Sequence, residues 1–273
     1  SPGPLALADV DGDGDLDLFV GGRFRPGRYP EPVASAIWLN EDGKLRANAA
    51  RSEPFASLGL VSGAVFGDMD GDGDPDLALA VEWGSVRFFR NDEGHFKDVS
   101  AAWGLADTGG WWTSVAAGDF DGDGRLDLVL GNWGRNSVYE LHRPGPLRLY
   151  ALDWHGAGSL ELVEAWQNAG KWIPVRHRLW LEAGFPDLPE RFPTHAAYGR
   201  ATVQDLLGPR FPEATFVEAS RFESGVFLNR GSRFEWLPLP AEAQRTPVFA
   251  VNVGDFDGDG VEDLFLGQNF FGS

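Results

Sequence analysis

The stretch Asp9-Val-Asp-Gly-Asp-Gly-Asp-Leu-Asp17 sets carboxylates at every second position, with glycine after the second and third of them. The same nine-residue pattern returns as Asp68–Asp76 (DMDGDGDPD), Asp119–Asp127 (DFDGDGRLD) and Asp255–Asp263 (DFDGDGVED). Short apolar runs flank each copy, for example Leu16-Asp17-Leu18-Phe19-Val20 and Leu126-Asp127-Leu128-Val129-Leu130. Runs of that length beside glycine read as strands, so each copy is an acidic turn between two strands.

The pattern suits calcium, which takes six to eight oxygen ligands at about 2.3–2.6 Å. Positions 1, 3 and 5 supply Asp9, Asp11 and Asp13; Asp68, Asp70 and Asp72; Asp119, Asp121 and Asp123; Asp255, Asp257 and Asp259. Position 7 needs only its backbone carbonyl, which accommodates Asp15, Asp74, Arg125 and Val261 alike. Position 9 is always aspartate (Asp17, Asp76, Asp127, Asp263) and is expected to be bidentate. An EF-hand would place Glu at position 12 between two helices. Here Val20, Leu79, Leu130 and Leu266 stand there, inside the apolar runs. The competing reading, a solvated acidic turn, is weakened by the fourfold recurrence, because so many close carboxylates repel one another without a cation. The expectation is about four calcium ions.

Charge follows the loops. They hold nineteen of the chain's 41 acids, and outside them acids and bases balance at 22 each, although the net charge is −18 over 273 residues. No basic stripe exists, which argues against nucleic-acid binding. The absence of cysteine excludes disulfides, thiolate metal sites and a cysteine nucleophile. No apolar run approaches membrane-spanning length. The chain begins Ser-Pro-Gly, as a processed protein or an excised piece would, and loops of this affinity class suit a calcium-rich, extracytoplasmic compartment.

Loop starts lie 59, 51 and 136 residues apart. Around them recur an incoming strand (Ala64–Gly67, Ser114–Gly118, Ala250–Gly254) and hairpins such as 36–45, 86–96 and 226–234. Four strands per unit of roughly 50 residues is the mark of a β-propeller blade. Through Phe66-Gly67 before the loop and Leu130-Gly131-Asn132 after it, the chain resembles the FG-GAP or VCBS-type calcium repeat found in integrin α-subunit propellers and bacterial surface proteins. More loosely it resembles bacterial relatives of cartilage acidic protein. The resemblance implies an all-β propeller in which calcium loops join the first two strands of each blade.

A fifth, decayed copy runs from Asp153 to Glu161, with His155 and Ala157 in place of two ligands, and reads as a turn without metal. From Gln167 to Phe216 the strand pattern lapses. Residues 167–216 are expected to form an insertion between the second and third strands of a fourth blade, including a short helix capped by Thr202 and stopped by Gly208. Counted this way, 1–273 is one propeller domain with five visible blades of a six- to eight-bladed ring, the last lacking its outer strands.

The second strands end opposite the loops, at Arg23 and Phe24, Glu82 and Trp83, Asn132 and Trp133, Asn269 and Phe270, with Trp111 and Trp112 joining them. Aromatics mixed with amides and an arginine can stack sugars or clasp a peptide, although bulky rings also fill the wedges between blades. The five histidines are dispersed, and neither a His-Glu-x-x-His pair nor a Gly-x-Ser-x-Gly elbow occurs. The expectation is a non-enzymatic binding or adhesion module for a protein or carbohydrate ligand. A calcium-dependent polysaccharide lyase or hydrolase on the same propeller is the alternative.

Overall fold

The computed structural model describes residues 1–142 and 145–268. The chain is mostly strand, in antiparallel sheets of largely four strands with few and short helices, an all-β, propeller-like fold. It divides into two compact units. The first comprises Ser1–Phe24, Glu31–Ser137 and Arg221–Ser273, and the second Arg25–Pro30 and Val138–Ser220.

In the first unit, β1 (Pro2–Ala8), β2 (Asp17–Gly22), β3 (Ala36–Glu41) and β4 (Lys44–Ala47) pair in that order. After the short helix α1 (Ala49–Ser52), the pattern repeats with β5 (Leu60–Gly67), β6 (Asp76–Gly84), β7 (Arg87–Arg90) and β8 (Lys97–Asp98). A short β9 (Gly110–Trp111) adds to β6. The third sheet opens with β10 (Ser114–Gly118) and β11 (Asp127–Gly131). The run Leu77-Ala-Leu-Ala-Val81 in β6 is buried on both faces, as an unbroken apolar strand between two neighbouring layers must be.

The chain then builds Val138–Ser220 of the second unit before the third sheet is finished. There β12 (Leu147–Leu152), β13 (Glu161–Asn168), β14 (Lys171–Pro174) and β15 (Thr215–Ala219) pair in the order β14-β13-β12-β15. On return, β16 (Gly225–Asn229) pairs with β11, aligning Val226 with Val129, and β17 (Phe234–Pro238) completes the third sheet. A two-stranded sheet of β18 (Ala250–Gly254) and β19 (Asp263–Gly267) follows.

This connectivity corrects the expected blade count. The hairpin 226–234 belongs to the third blade, not a fourth. The sheet around the decayed loop is not a blade, because its first strand, β12, is central and paired on both sides. The insertion is therefore 138–220 in the third blade. The helical stretch lies after β14, so residues 167–174 are still a strand hairpin, β13 turning into β14. Sequence proximity assigned the hairpin to the nearest preceding strands; hydrogen bonding to Asp127, described below, assigns it to a distant one.

Three first strands lie beside their successors, β1 against β5, β5 against β10 and β10 against β18. Phe19, Ile37, Phe55, Leu77, Leu79 and Phe89 fill the wedge between the first and second sheets. Ala78, Phe88, Trp112, Leu128, Leu130 and Phe227 fill the next. In the second unit, α2 (Arg178–Leu181), α3 (Leu188–Arg191), α4 (His195–Tyr198) and α5 (Val203–Leu207) cover one face of their own sheet, burying Tyr150, Val163, Phe185, Leu188 and Leu206 together. Thr202 caps α5 in a capping box with Asp205, and Gly208 ends it at φ 55°. Among the described residues no helix is long and apolar enough to cross a membrane.

Candidate metal loops and an aromatic cluster

Each acidic copy joins the first and second strands of a sheet, and position 1 ties the turn. Asp9 accepts the amides of Gly12 and Asp13 at Oδ1 (2.9 and 3.1 Å) and of Gly14 at Oδ2 (2.9 Å). Asp119 does the same for Gly122, Asp123 and Gly124, and Asp255 for Gly258, Asp259 and Gly260. The turn needs φ of 76° and 93° at Gly12 and Gly14, a region other residues enter at a cost.

That curl collects carboxylates. Oxygens of Asp9, Asp11 and Asp13 lie within 4.8 Å of one another, as do those of Asp68, Asp70 and Asp76, of Asp119, Asp121 and Asp127, and of Asp255, Asp257 and Asp259. Oxygens bound at 2.3–2.6 Å around one calcium span about that distance. Asp11 Oδ1 is buried with no hydrogen-bond partner, so an acceptor in the first loop faces inward without a donor. The donor set is all oxygen, and it fits a hard cation. Asp15, Asp17, Asp72, Asp74, Asp123 and Asp263 lie outside these triads, while Arg125 and Val261 offer only their carbonyls.

Position 9 has a second task. Asp76 Oδ2 accepts the amides of Met69 and Asp70, and its Oδ1 that of Asn91 at 2.9 Å. Asp17 likewise takes Val10 and Asn40, and Asp127 takes Phe120 and Asn229. These carboxylates pin the loop to the third strand. Burial pushes all three up, Asp76 to about 7, against the pull of the amides they accept. Burial also raises Asp70. Asp121 moves the other way, because Arg230 donates to it.

Asn40, Asn91 and Asn229, to which the sequence reading gave no role, occupy one repeated position at the end of the third strand. The signal was present as Leu39-Asn40, Arg90-Asn91 and Leu228-Asn229 at the first turn of each hairpin.

The decayed copy keeps the turn without the acids. Asp153 accepts from Ala157 and Gly158 at 3.0 and 2.9 Å, while His155 Nε2 lies 3.1 Å from Gly184 O.

At the far ends of the second strands the structure gathers part of the expected aromatic face. Trp83 and Trp111 have ring centroids 4.2 Å apart, and Trp111 stacks on Trp133 at 4.2 Å with planes 11° apart. Trp83 sits at φ 60°, uncommon for a bulky residue, where the pairing of β6 with β9 shifts register. Trp111 Nε1 donates to Glu82 Oε1 at 3.1 Å, and Arg23 pairs with the other oxygen of Glu82. Phe249, unsuspected from the sequence, meets Trp133 edge-on at 6.3 Å. Trp83 and Trp111 are nearly buried (5% and 9% exposed), whereas Trp133, Arg23 and Phe24 are half-buried and Phe249 is 47% exposed. Trp112 does not join them; it is fully buried and packs on Phe227 and Trp236. Asn269 and Phe270 lie outside the described residues.

Acidic turns that join the first two strands of successive four-stranded antiparallel sheets define a propeller-like β-repeat protein. The model of the FG-GAP-like repeat matches residues 9–79 and again 68–130, spanning the first three loops. Over residues 9–130 the chain carries FG-GAP-like repeats. No curated protein matches it.

Proposed function

We propose that this protein is a calcium-stabilised, extracytoplasmic binding module, non-enzymatic, that presents a protein or carbohydrate ligand with the face around Trp133. The observation that carries the calcium reading is the set of four carboxylate triads, one of them containing a buried acceptor without a donor at Asp11. A bound ion would supply charge neutralisation, and Asp9, Asp68, Asp119 and Asp255 already hold each turn in the shape that receives it. A binding role is favoured over catalysis because the buried carboxylates at position 9 are engaged by backbone amides, which leaves them poorly suited to proton transfer. The ligand reading draws support from a half-buried indole, Trp133, stacked on Trp111, which Trp83 meets at a tilt, with a polar Arg23–Glu82 pair beside them. Apolar walls with few polar anchors are the usual make-up of such sites.

Calorimetric calcium titration of the chelated chain, with a thermal melt at each end point, tests the proposal. Native loops bind the ion and the unfolded chain barely does, so the melting temperature should climb with calcium concentration. No heat of binding together with an unmoved melt would leave the loops as ordinary acidic turns.

A further inference from the structure

The four acidic loops share a pattern but not an electrostatic setting. Among the described residues no Lys or Arg pairs with the acids of the first triad (Asp9, Asp11, Asp13) or the fourth (Asp255, Asp257, Asp259). The second loop has one guanidinium at its rim, Arg90 Nε 3.5 Å from Asp70 Oδ2. The third has two. Arg230 Nη1 lies 2.5 Å from Asp121 Oδ2 and 3.6 Å from Asp123 Oδ2, and Arg125 pairs with Asp123 as well.

Neither arginine of the third loop swings free. Arg230 Nε donates to Glu235 Oε2 at 3.0 Å, and Arg125 Nε donates to Asn229 O at 2.9 Å, so the hairpin of β16 and β17 aims both at the loop. Both stand where the other repeats carry something else. The residue after the third-strand asparagine is Glu41 in the first repeat and Asp92 in the second, but Arg230 in the third. Position 7 is Asp15, Asp74 or Val261 elsewhere, but Arg125 here.

We propose that the third loop carries its own counter-ion: Arg230, assisted by Arg125, neutralises Asp121 and Asp123, making this the weakest of the four calcium sites and the one that keeps its turn without the ion. The inference rests on the calcium reading above. The chain already uses the same arrangement in its second unit. There Arg28 Nη1 donates to Gly158 O at 2.7 Å and lies 4.0 Å from Asp153 Oδ2, in a loop that has lost two acids yet keeps its turn. A guanidinium next to a divalent ion repels it, and removing one unit charge at contact distance changes affinity by about tenfold or more.

The test is calcium calorimetry on the full chelated chain and its variants, with melts in chelator. In the native chain one site should be at least about tenfold weaker than the others. Asp121→Asn should abolish that weak site alone. Arg230→Gln should tighten it about tenfold and lower the melting temperature in chelator, while Arg230→Lys should retain the native titration. Arg125→Val, which copies Val261 of the fourth loop, is a second variant tightening the same site. Titrations of Arg230→Gln and Arg125→Val indistinguishable from native, or loss of a tight site in Asp121→Asn, would overturn the proposal while the calcium reading stood. A native chain that takes up no calcium, with a site gained in Arg230→Gln, would overturn the calcium reading and keep the arginine assignment. No uptake in either chain would overturn both.

Discussion

Asn229 joins two repeats: its backbone N–H donates to Asp127 Oδ1 at 2.7 Å, and its side-chain amide donates to Met69 O in the preceding loop, also at 2.7 Å. Asn91 makes the equivalent pair one repeat earlier, to Asp76 Oδ1 and Val10 O, both at 2.9 Å. Each asparagine therefore locks its own third strand to its own loop and that loop to its neighbour. Asn40 makes only the first bond, to Asp17 Oδ1 at 2.8 Å. Alanine at 91 or 229 would orphan a buried carbonyl and should cost about 1–3 kcal/mol, measured by urea unfolding in calcium. Asn40→Ala, with no neighbouring loop to lose, should cost less. Equal costs at all three positions would show that the link between repeats adds nothing.

The same bonds explain what the sequence could not reveal. The turns were legible because a two-residue spacing of acids with interleaved glycine has one obvious geometry, and Asp9 and Asp119 close it with the same three amides. Strand identity was legible too, from runs such as Leu77–Val81. Pairing partners were not. Val226-Phe227-Leu228 has the alternation of any outer strand, and nothing in it names β11 across an 83-residue insertion running from 138 to 220. The register is chosen by Asp127 accepting from Asn229, a contact 102 residues apart in the chain. The aromatic face was half legible, because the end of a second strand was inferable, whereas the direction of neighbouring indoles was not. Trp111, at the end of β9, turns toward Trp133, and Trp112, one residue beyond that strand, turns into the core.

Burial of Asp76 gives a pH dependence of definite sign in the metal-free protein. Unfolded, this carboxyl releases its proton near 3.8; folded, it holds it to about 7. Across that window the folded chain binds the extra proton, so stability should fall as pH rises from about 4 to about 7. Asp17 and Asp127 shift in the same direction and add to the slope. Saturating calcium should flatten it, since an ion favours the ionised form. Urea melts at several pH values, with chelator and with calcium, check this; a metal-free chain that gained stability toward neutral pH would contradict it.

The insertion should be removable. Gly134 N donates to Phe222 O at 2.8 Å and Asn132 N to Ser224 Oγ at 2.9 Å, so the chain leaves and rejoins the third sheet at adjacent points. Loop-closure entropy grows only slowly with length, and a short Gly/Ser linker replacing 138–220 spans such a gap without strain. The shortened chain should keep a cooperative, calcium-dependent melt and strand-type circular dichroism. Loss of cooperativity would mean that the first unit depends on the second for its folding.

The three clustered tryptophans should separate by role. Trp83 and Trp111 are nearly buried, and Trp111 also supports Glu82 through its indole N–H, so alanine at either should cost about 3–5 kcal/mol. Trp133 is half-buried and meets the exposed Phe249 edge-on, so Trp133→Ala should cost clearly less. Its effect should fall on ligand capture instead, because one indole held flat on another is a pre-ordered platform that loses little entropy on binding. Urea unfolding in calcium ranks the three variants, and a screen of immobilised glycans and extracellular proteins with the native chain and Trp133→Ala reads the second effect. A Trp133 variant as unstable as the Trp111 variant would assign all three rings to packing, and the binding face would then have to lie elsewhere on the sheets.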